Sequence, residues 1–509
     1  MKIALIEPPR YFSPTSPVST VVIPPLGLAY IAGTLEAAGH QIHVVDALSQ
    51  GLNHYTPFGP VYLRGLSIEA LCQQIPADTE LIGVSSLFSA QWLVVRGLLQ
   101  EIKRLFPRVP LVLGGEHGTA LPDLSMTQAP IDYIVLGEGE DIIVELVERI
   151  EKGLPALDVA GTVARTGDSW VTNPRRSRIK DIDAIPLPAW HLFDVEGYIT
   201  FNQPHGSSRG RYMPMLATRG CPFQCTFCTS PQMWTTTWVP RNPALVVDEM
   251  EMYAKRYGVT DFHFEDLTAI VRKKWIVDFC SEIIGRGLKI TFQLPSGTRS
   301  EAVDGETAAA MKRAGCHEFS FAPESGDVRV LKAIKKQVNL DSLFKSAKAA
   351  MDAGINVNAF FIVGFPEDTY GSVFNTYKTL ARCAIAGFSA ANVNPYSPQP
   401  NTASFNALKA QGKIGELDDA YFLNLFLFQD LARPKVSYNE HFSSRQLSMM
   451  VLGGFVVFFS ISFLTRPWRI VSLFRDLFGK KKMSSNKAVR ALSSLVKDFR
   501  ALEGPAPRV

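Results

Sequence analysis

Cysteine is scarce in this 509-residue chain: there are seven, an odd number, which excludes a disulfide scaffold and fits a reducing, cytoplasmic compartment. An excess of one charge is also missing. Lys and Arg number 52 against 48 Asp and Glu, a formal net of +4, which argues against nucleic acid as a partner. There is no internal repeat and no low-complexity tract, so a repeat array is not expected. No signal peptide opens the chain; Met1, Lys2 and the run Ile3 to Ile6 lead straight into Glu7, Pro8 and Pro9, as in an opening strand. Long apolar runs are confined to Gln446 to Thr465. What is plentiful is core material: 46% hydrophobic and 10% aromatic residues. That excludes wholesale disorder, and the length fits two to four domains at roughly 100–200 residues each.

Residues 1–155 alternate short apolar runs with helical spacing. Ile3 to Ile6, Ile42 to Val45, Leu81 to Val84, Leu111 to Leu113 and Tyr133 to Val135 read as strands. Leu26 to Ala38, Trp92 to Leu105 and Asp141 to Ile150 read as helices. Continuous apolar strands separated by helices predict a doubly wound parallel sheet, an α/β fold that binds ligands beyond its strand ends. Residues 156–204 form a proline-punctuated linker with room for a small hairpin. Residues 205–410 alternate again. Strands are expected at Met215 to Thr218, Phe262 to Phe264, Thr291 to Leu294, Phe319 to Ala322, Val357 to Val363 and Ala391 to Pro395. Six strand–helix units fit a partial barrel with its site on the loops after the strands. Residues 411–509 read as a helical domain.

Four cysteines are scattered, but Cys221, Cys225 and Cys228 stand at C-x3-C-x2-C on a loop directly after a strand. Three thiolates so close in sequence can converge on one metal centre. They leave a structural zinc site one ligand short, whereas a cubane iron–sulfur cluster held by three cysteines keeps one iron open.

This loop resembles the signature of the radical S-adenosylmethionine (SAM) superfamily, and segments downstream extend the resemblance in the right order. Glu265 and Asp266 end the second barrel strand, where the family meets the methionyl amino group. Arg299 follows the third strand and is similar to a partner for the SAM carboxylate. Glu324 and Ser325 follow the fourth, at the ribose or carboxylate position, and Gly364 and Pro366 follow the fifth, near the adenine. The resemblance implies a [4Fe–4S] cluster on the three cysteines, SAM on its open iron, and an external electron donor of the flavodoxin or ferredoxin type. Asp261 and the Cys316–His317 pair read more simply as capping and core groups.

In the first 155 residues, glycines after strands would let a ligand approach the backbone closely. No G-x-G-x-x-G follows the first strand, so a dinucleotide site is not expected. Coupled to the cysteine loop, the region resembles the cobalamin (B12)-binding module that precedes many radical SAM enzymes. By that resemblance Ser85, Ser86, Gly114, Gly115, His117, Thr119, Gly137 and Glu138 are the expected cofactor-binding residues. The D-x-H-x-x-G signature is absent, because Ala47 and Leu48 follow Asp46. No histidine of that loop is then expected on cobalt, and His117 reads as a polar loop residue beside the corrin or its tail.

The 20-residue uncharged run Gln446 to Thr465 has the length to span a bilayer, but its glycines and serines favour a buried helix or substrate-channel wall. Arg466 to Lys482 reads as a basic amphipathic helix, equally a membrane-surface contact or the solvated face of a packed helix.

Taken whole, the chain resembles a cobalamin-dependent radical SAM enzyme. The resemblance implies a C-methyltransferase that acts on an unactivated carbon through a 5′-deoxyadenosyl radical and methylcobalamin. A second outcome is an oxidative cyclase of the magnesium-porphyrin type or a ring-rearranging enzyme. A non-catalytic cobalamin or metal sensor is a third. The expected partner is a small-molecule substrate, a lipid, isoprenoid or tetrapyrrole among the candidates.

Overall fold

The computed structural model of the chain describes residues 1–16, 20–430, 432–471 and 474. Near the amino terminus, Lys2–Glu7, Gln41–Asp46, Leu81–Ser85, Leu111–Gly114 and Tyr133–Val135 form parallel strands. They lie side by side in the order second, first, third, fourth, fifth. Helices Leu26–Ala37, Trp92–Leu105 and Glu140–Glu151 accompany them. Ile3 and Leu5 join one buried cluster while Ala4 and Ile6 join another. Both faces of this central strand are therefore covered, which is why it reads as an unbroken apolar run. The order reverses between Lys2–Glu7 and Leu81–Ser85, and sheets of this kind bind ligands beyond the strand ends at such a point.

Residues 156–204 are more than a linker. Thr162–Thr166 and Ser169–Thr172 form a hairpin that pairs antiparallel with Tyr133–Val135 and extends the first sheet. A small antiparallel sheet of Arg10–Phe12, Val61–Arg64 and Tyr55–Phe58 was not legible from periodicity.

The second sheet contains six parallel strands in chain order: Tyr212–Met215, Asp261–Phe264, Thr291–Thr298, Cys316–Glu324, Asn356–Val363 and Ala390–Pro395. Helices including Pro243–Tyr257, Lys273–Gly285, Leu340–Asp352 and Tyr370–Ala386 alternate with them. First and last strands do not pair, so the barrel is partial. Alternation sorts the side chains. Phe262, Phe264, Phe292, Phe319 and Phe321 enter the apolar cluster shared with the helices, and His263, Gln293, Glu318, Ser320 and Asn358 take the opposite face. The first strand lies three residues earlier than the expected Met215 to Thr218. Pro214 reads as a breaker, but this is an edge strand, where a missing N–H is tolerated. Thr218–Arg219 instead pairs with Val239–Pro240.

Ser444–Thr465 is a helix long and apolar enough to cross a membrane. Ser443 and Gln446 form its capping box. Leu447, Val451, Gly454, Phe458 and Ser462 are its buried stripe. The stripe lies on helix Tyr370–Ala386 and strand Ala390–Pro395, with Gly454 against Val393. Met449, Leu452, Val456 and Leu464 are exposed. The helix is thus covered along one stripe only and lies against Val393, on the face of the strand turned from Asn392 and Asn394; of the expected buried helix or substrate-channel wall, burial holds for that stripe alone. Beyond it, Arg466 donates to the carbonyls of Ala384 and Ile385, and Arg469 to those of Gly387 and Phe388. These two cations cap the helix Tyr370–Ala386. Beyond Val471, the basic segment expected to Lys482 lies, except for Phe474, outside the described residues.

Candidate cofactor site at the domain junction

The cysteine loop is held by its backbone. Before it, the buried Asp266 carboxylate accepts from Thr218 Oγ1 at 2.6 Å and from the Ala217 amide at 3.2 Å. Burial pushes the Asp266 pKa up to about 6. Within the loop, the Thr226 amide donates to the Ile334 carbonyl at 3.0 Å, and the Ser404 amide donates to the Thr226 carbonyl at 2.9 Å. Phe227 packs on Phe365 with ring centroids 5.4 Å apart. Cys221, Cys225 and Cys228 are all half-buried. Their polar contacts are long: Cys225 Sγ lies 3.9 Å from the Lys335 carbonyl, and Cys228 Sγ accepts from the Ser230 amide at 3.5 Å. Among the described residues, no three side chains of His, Cys, Asp or Glu already converge as a chelate. The backbone is fixed and the thiols are uncommitted.

Cations stand beside this loop. Arg299 stacks on Phe223 with its guanidinium carbon 4.0 Å from the ring centroid, and donates to Glu301 and the Gln337 carbonyl. Lys336 pairs with Glu324 at 2.9 Å. Burial works against the Lys336 charge, yet Glu324 and Cys225 hold its pKa above the usual value. Burial pushes the Cys228 thiol up to about 12 and raises that of Cys225, against the pull of Lys336. Iron that binds these sulfurs must displace their protons, and neighbouring positive charge favours the thiolates. Three uncommitted thiols and two adjacent cations fit a [4Fe–4S] cluster with one iron not held by the protein.

The other expected SAM residues are placed unequally. Glu324 sits at φ +65°, in a region that residues with side chains seldom occupy, and its carboxylate reaches Lys336. Ser325 is buried, 3.3 Å from Thr376 Oγ1. Gly364 has φ +86°, and a Cβ there would stand 2.5 Å from Leu447. The Asp368 carboxylate accepts from the amides of Gly364 and Phe365, while Asn439 donates to the carbonyls of Phe365, Pro366 and Asp368. Glu265 is bound to His205 at 3.1 Å. Asp266 does not face the loop opening; it braces the strand beneath.

Across the junction, the Ser86 amide donates to the Gly114 carbonyl at 2.8 Å, and the Gly137 amide donates to Thr119 Oγ1 at 2.9 Å. A Cβ on Gly115, at φ +110°, would meet the Ser86 carbonyl at 2.5 Å, whereas one on Gly114 would meet open space. Ser85, Ser86, Gly114, Gly115, Thr119 and Gly137 therefore share one edge, with open room at Gly114 and an unpartnered buried Ser86 hydroxyl. That edge fits a large cofactor lying against backbone. His117 is fully buried, stacked on Trp92 at 4.3 Å, with Nδ1 3.0 Å from Ser89 Oγ and Nε2 unpartnered. Burial drives its pKa down to about 3. On the loop after the second strand, Asp46 is bound to Tyr198 and to the amides of Leu48 and Ser49.

Glu138 joins the two domains. It accepts from Arg178 at 2.5 Å and from Arg219 at 3.4 Å, and Arg219 also reaches Glu140 at 2.6 Å. Arg219 stands two residues before Cys221 and lies over Tyr30 at 5.2 Å. Lys336 and Arg219 escaped sequence reasoning. Lys336 sits in a basic helix-end stretch without a motif, and Arg219 was visible only as a neighbour of Cys221.

The sequence profile of the radical SAM superfamily matches residues 215–380, and that of the B12 binding domain matches residues 18–147. Among curated relatives, an uncharacterized methyltransferase, PH0819, of Pyrococcus horikoshii is 28% identical over 495 residues, covering 97% of this chain and 98% of its own. The anaerobic magnesium-protoporphyrin IX monomethyl ester cyclase of Rubrivivax gelatinosus is 28% identical over 80% of this chain and 70% of its own. A solved structure of the radical SAM methyltransferase TsrM from Kitasatospora setae, with cobalamin and a [4Fe-4S] cluster bound, superposes with a TM-score of 0.68. It is 15% identical and covers 98% of this chain and 99% of its own.

Proposed function

We propose a function from one premise: the chain belongs to the radical SAM superfamily and carries a B12-binding domain in front of the radical SAM domain. It is a cobalamin-dependent radical SAM methyltransferase that alkylates an unactivated carbon of a small molecule. One observation carries this reading. Arg219, at the mouth of the three-cysteine loop, is ion-paired to Glu138 and Glu140 just beyond the Tyr133–Val135 strand. The two expected cofactor positions therefore share one wall.

Cys221, Cys225 and Cys228 would hold the cluster, and the edge formed by Ser86, Gly114, Gly115 and Thr119 would take cobalamin. When bound, these groups with SAM supply a 5′-deoxyadenosyl radical and a transferable methyl group. The chain supplies placement and exclusion of water. Arg219 fixes the start of the cysteine loop against the amino-terminal sheet. Phe227 and Phe365 keep an apolar wall behind the sulfurs, and Lys336 and Arg299 offset the negative charge of three thiolates. Asp368 and Asn439 rigidify the Gly364–Pro366 turn by accepting and donating at its backbone, which holds a cofactor's position to fractions of an ångström. Glu265, paired to His205, and Arg299 are the side chains in reach of SAM's amino and carboxyl groups in this reading.

The identity to the porphyrin-ring cyclase supports a second outcome with the same cofactors and no methyl transfer. Anaerobic incubation of reconstituted protein with methyl-deuterated SAM and a cell extract separates them. Methylation gives a product carrying the labelled methyl, whereas cyclisation gives none. A one-electron donor of the flavodoxin or ferredoxin type belongs to both. The exposed face of Ser444–Thr465, with Met449, Leu452 and Val456, suits contact with a membrane surface. Flotation of the full chain with phosphatidylglycerol vesicles supports that contact, and recovery with the unbound protein refutes it.

A further inference from the structure

We infer that the inner face of the barrel carries a recognition site, built by Glu318, Ser320 and Asn358, for a hydrogen-bond-donating group of the substrate: an amine, amide or hydroxyl. The inference rests on the methyltransferase reading only for the statement that a substrate enters this barrel. Ser320 and Asn358 are direct partners across the parallel strands Cys316–Glu324 and Asn356–Val363. Glu318 stands two residues before Ser320, on the same face. The alternate residues Phe319, Phe321, Val357 and Ala359 all bury in the cluster between sheet and helices, which turns these three polar side chains inward.

Each is nearly sealed from solvent, at 2%, 1% and 2% exposure for Glu318, Ser320 and Asn358. Glu318 Oε1, Ser320 Oγ and both amide atoms of Asn358 have no hydrogen-bond partner. Buried polar atoms are nearly always paired, so a cluster of them on one face of two adjacent strands calls for a partner from outside the fold.

The neighbouring polar layer differs. Asp261 accepts from His263 at 3.0 Å, His317 at 3.1 Å and Thr291 at 2.6 Å. Burial alone would raise its pKa, but the two histidines hold it well below the carboxylate range. Gln293 donates to His263 Nδ1 and to the His205 carbonyl, and accepts from the Ser207 amide. The second oxygen of Glu318 accepts from Ser207 Oγ at 2.7 Å. His317 Nδ1 apart, this layer is a satisfied floor. Glu318 spans it, one oxygen tied below and one free above.

The free atoms define the ligand. An ionised carboxylate only accepts, while Asn and Ser do both. A complementary group therefore brings at least one N–H or O–H for Glu318 and an acceptor for the Asn358 amide nitrogen. A bare hydrocarbon end leaves all of these atoms unpaired and is rejected. A lipid or isoprenoid fits only through a polar head.

The test uses the full chain and two cationic probes matched in charge, ethanolamine with donors and tetramethylammonium without. Thermal unfolding is read at fixed pH and ionic strength. In the ligand-free chain, Asn358→Leu, close in volume, removes two unpaired atoms and raises the unfolding midpoint by ~2 °C or more. Ethanolamine raises the wild-type midpoint and loses that effect in Asn358→Leu and in the gentler Glu318→Gln; tetramethylammonium has none. The proposal falls if Asn358→Leu lowers or leaves the ligand-free midpoint, or if the two probes act alike on the wild type. Iron content after anaerobic reconstitution, expected to be unchanged in both variants, reports separately on the cofactor reading.

Discussion

Replacing Arg219 by Met probes the joint between the domains. The guanidinium is 6% exposed, 2.6 Å from Glu140 and 3.4 Å from Glu138. Burial opposes its charge, but Glu140 holds the pKa well above the usual value. Glu138 keeps Arg178 at 2.5 Å, so the variant strands chiefly Glu140, whose side chain is 7% exposed. A buried ion left without its partner costs about 3–5 kcal/mol. The lost contact with the Tyr30 ring at 5.2 Å adds about 0.5–1 kcal/mol. Glu140→Gln alone removes a charge and keeps an acceptor, at about 1.5–3 kcal/mol. With both changes no isolated charge remains, so the double variant is more stable than the sum of the single effects predicts. The coupling is about 2 kcal/mol. Urea unfolding of wild type, both single variants and the double variant measures this. Additivity within about 0.5 kcal/mol refutes the joint. So would full stability of Arg219→Met.

Three further outcomes follow from single contacts. His117 is neutral when folded because burial lowers its pKa to about 3, while the unfolded chain takes a proton near 6.5. Its contribution is complete above pH 6.5 and lost as pH falls toward 3, at about 1.4 kcal/mol per unit. Relative to His117→Phe, the wild type therefore loses about 2.3 kcal/mol between pH 6.5, where the unfolded histidine is half protonated, and 4.5, read from denaturant midpoints at each pH; a pH-independent difference contradicts this. Gly364→Ala places a Cβ 2.5 Å from Leu447 at φ +86° and is expected to lower stability by about 1–3 kcal/mol; Leu447→Ala in the same chain relieves the clash but not the backbone strain. Asp266→Ala removes the acceptor for Thr218 and Ala217. It is expected to reduce iron retention on reconstitution while leaving the cysteines in place, and undiminished iron refutes its bracing role.

Much of the fold was legible because buried parallel strands leave unbroken apolar runs. The helix Trp92–Leu105 and the strand Tyr133–Val135 fall at their expected bounds. Pro214 hid the true first barrel strand, since an edge strand is invisible as such before the sheet is known. The three-cysteine loop was legible because ligand spacing is local. Glu138 was expected beside the cofactor, but its pairing with Arg178 and Arg219 was not legible, because it joins residues far apart in the chain. Asp266 was read as a group facing SAM, yet its carboxylate turns back to Thr218, a direction that motif order does not encode. The polar inner face at Glu318, Ser320 and Asn358 was hidden among strand residues that pattern alone treats as core.

The most direct test is metal content after anaerobic reconstitution with iron, sulfide and hydroxocobalamin. The wild type is expected to hold about four irons and one cobalt per chain. The triple variant Cys221→Ala, Cys225→Ala, Cys228→Ala is expected to lose the iron and keep the cobalt. A wild type that takes up neither metal, or a triple variant that retains its iron, contradicts the assignment.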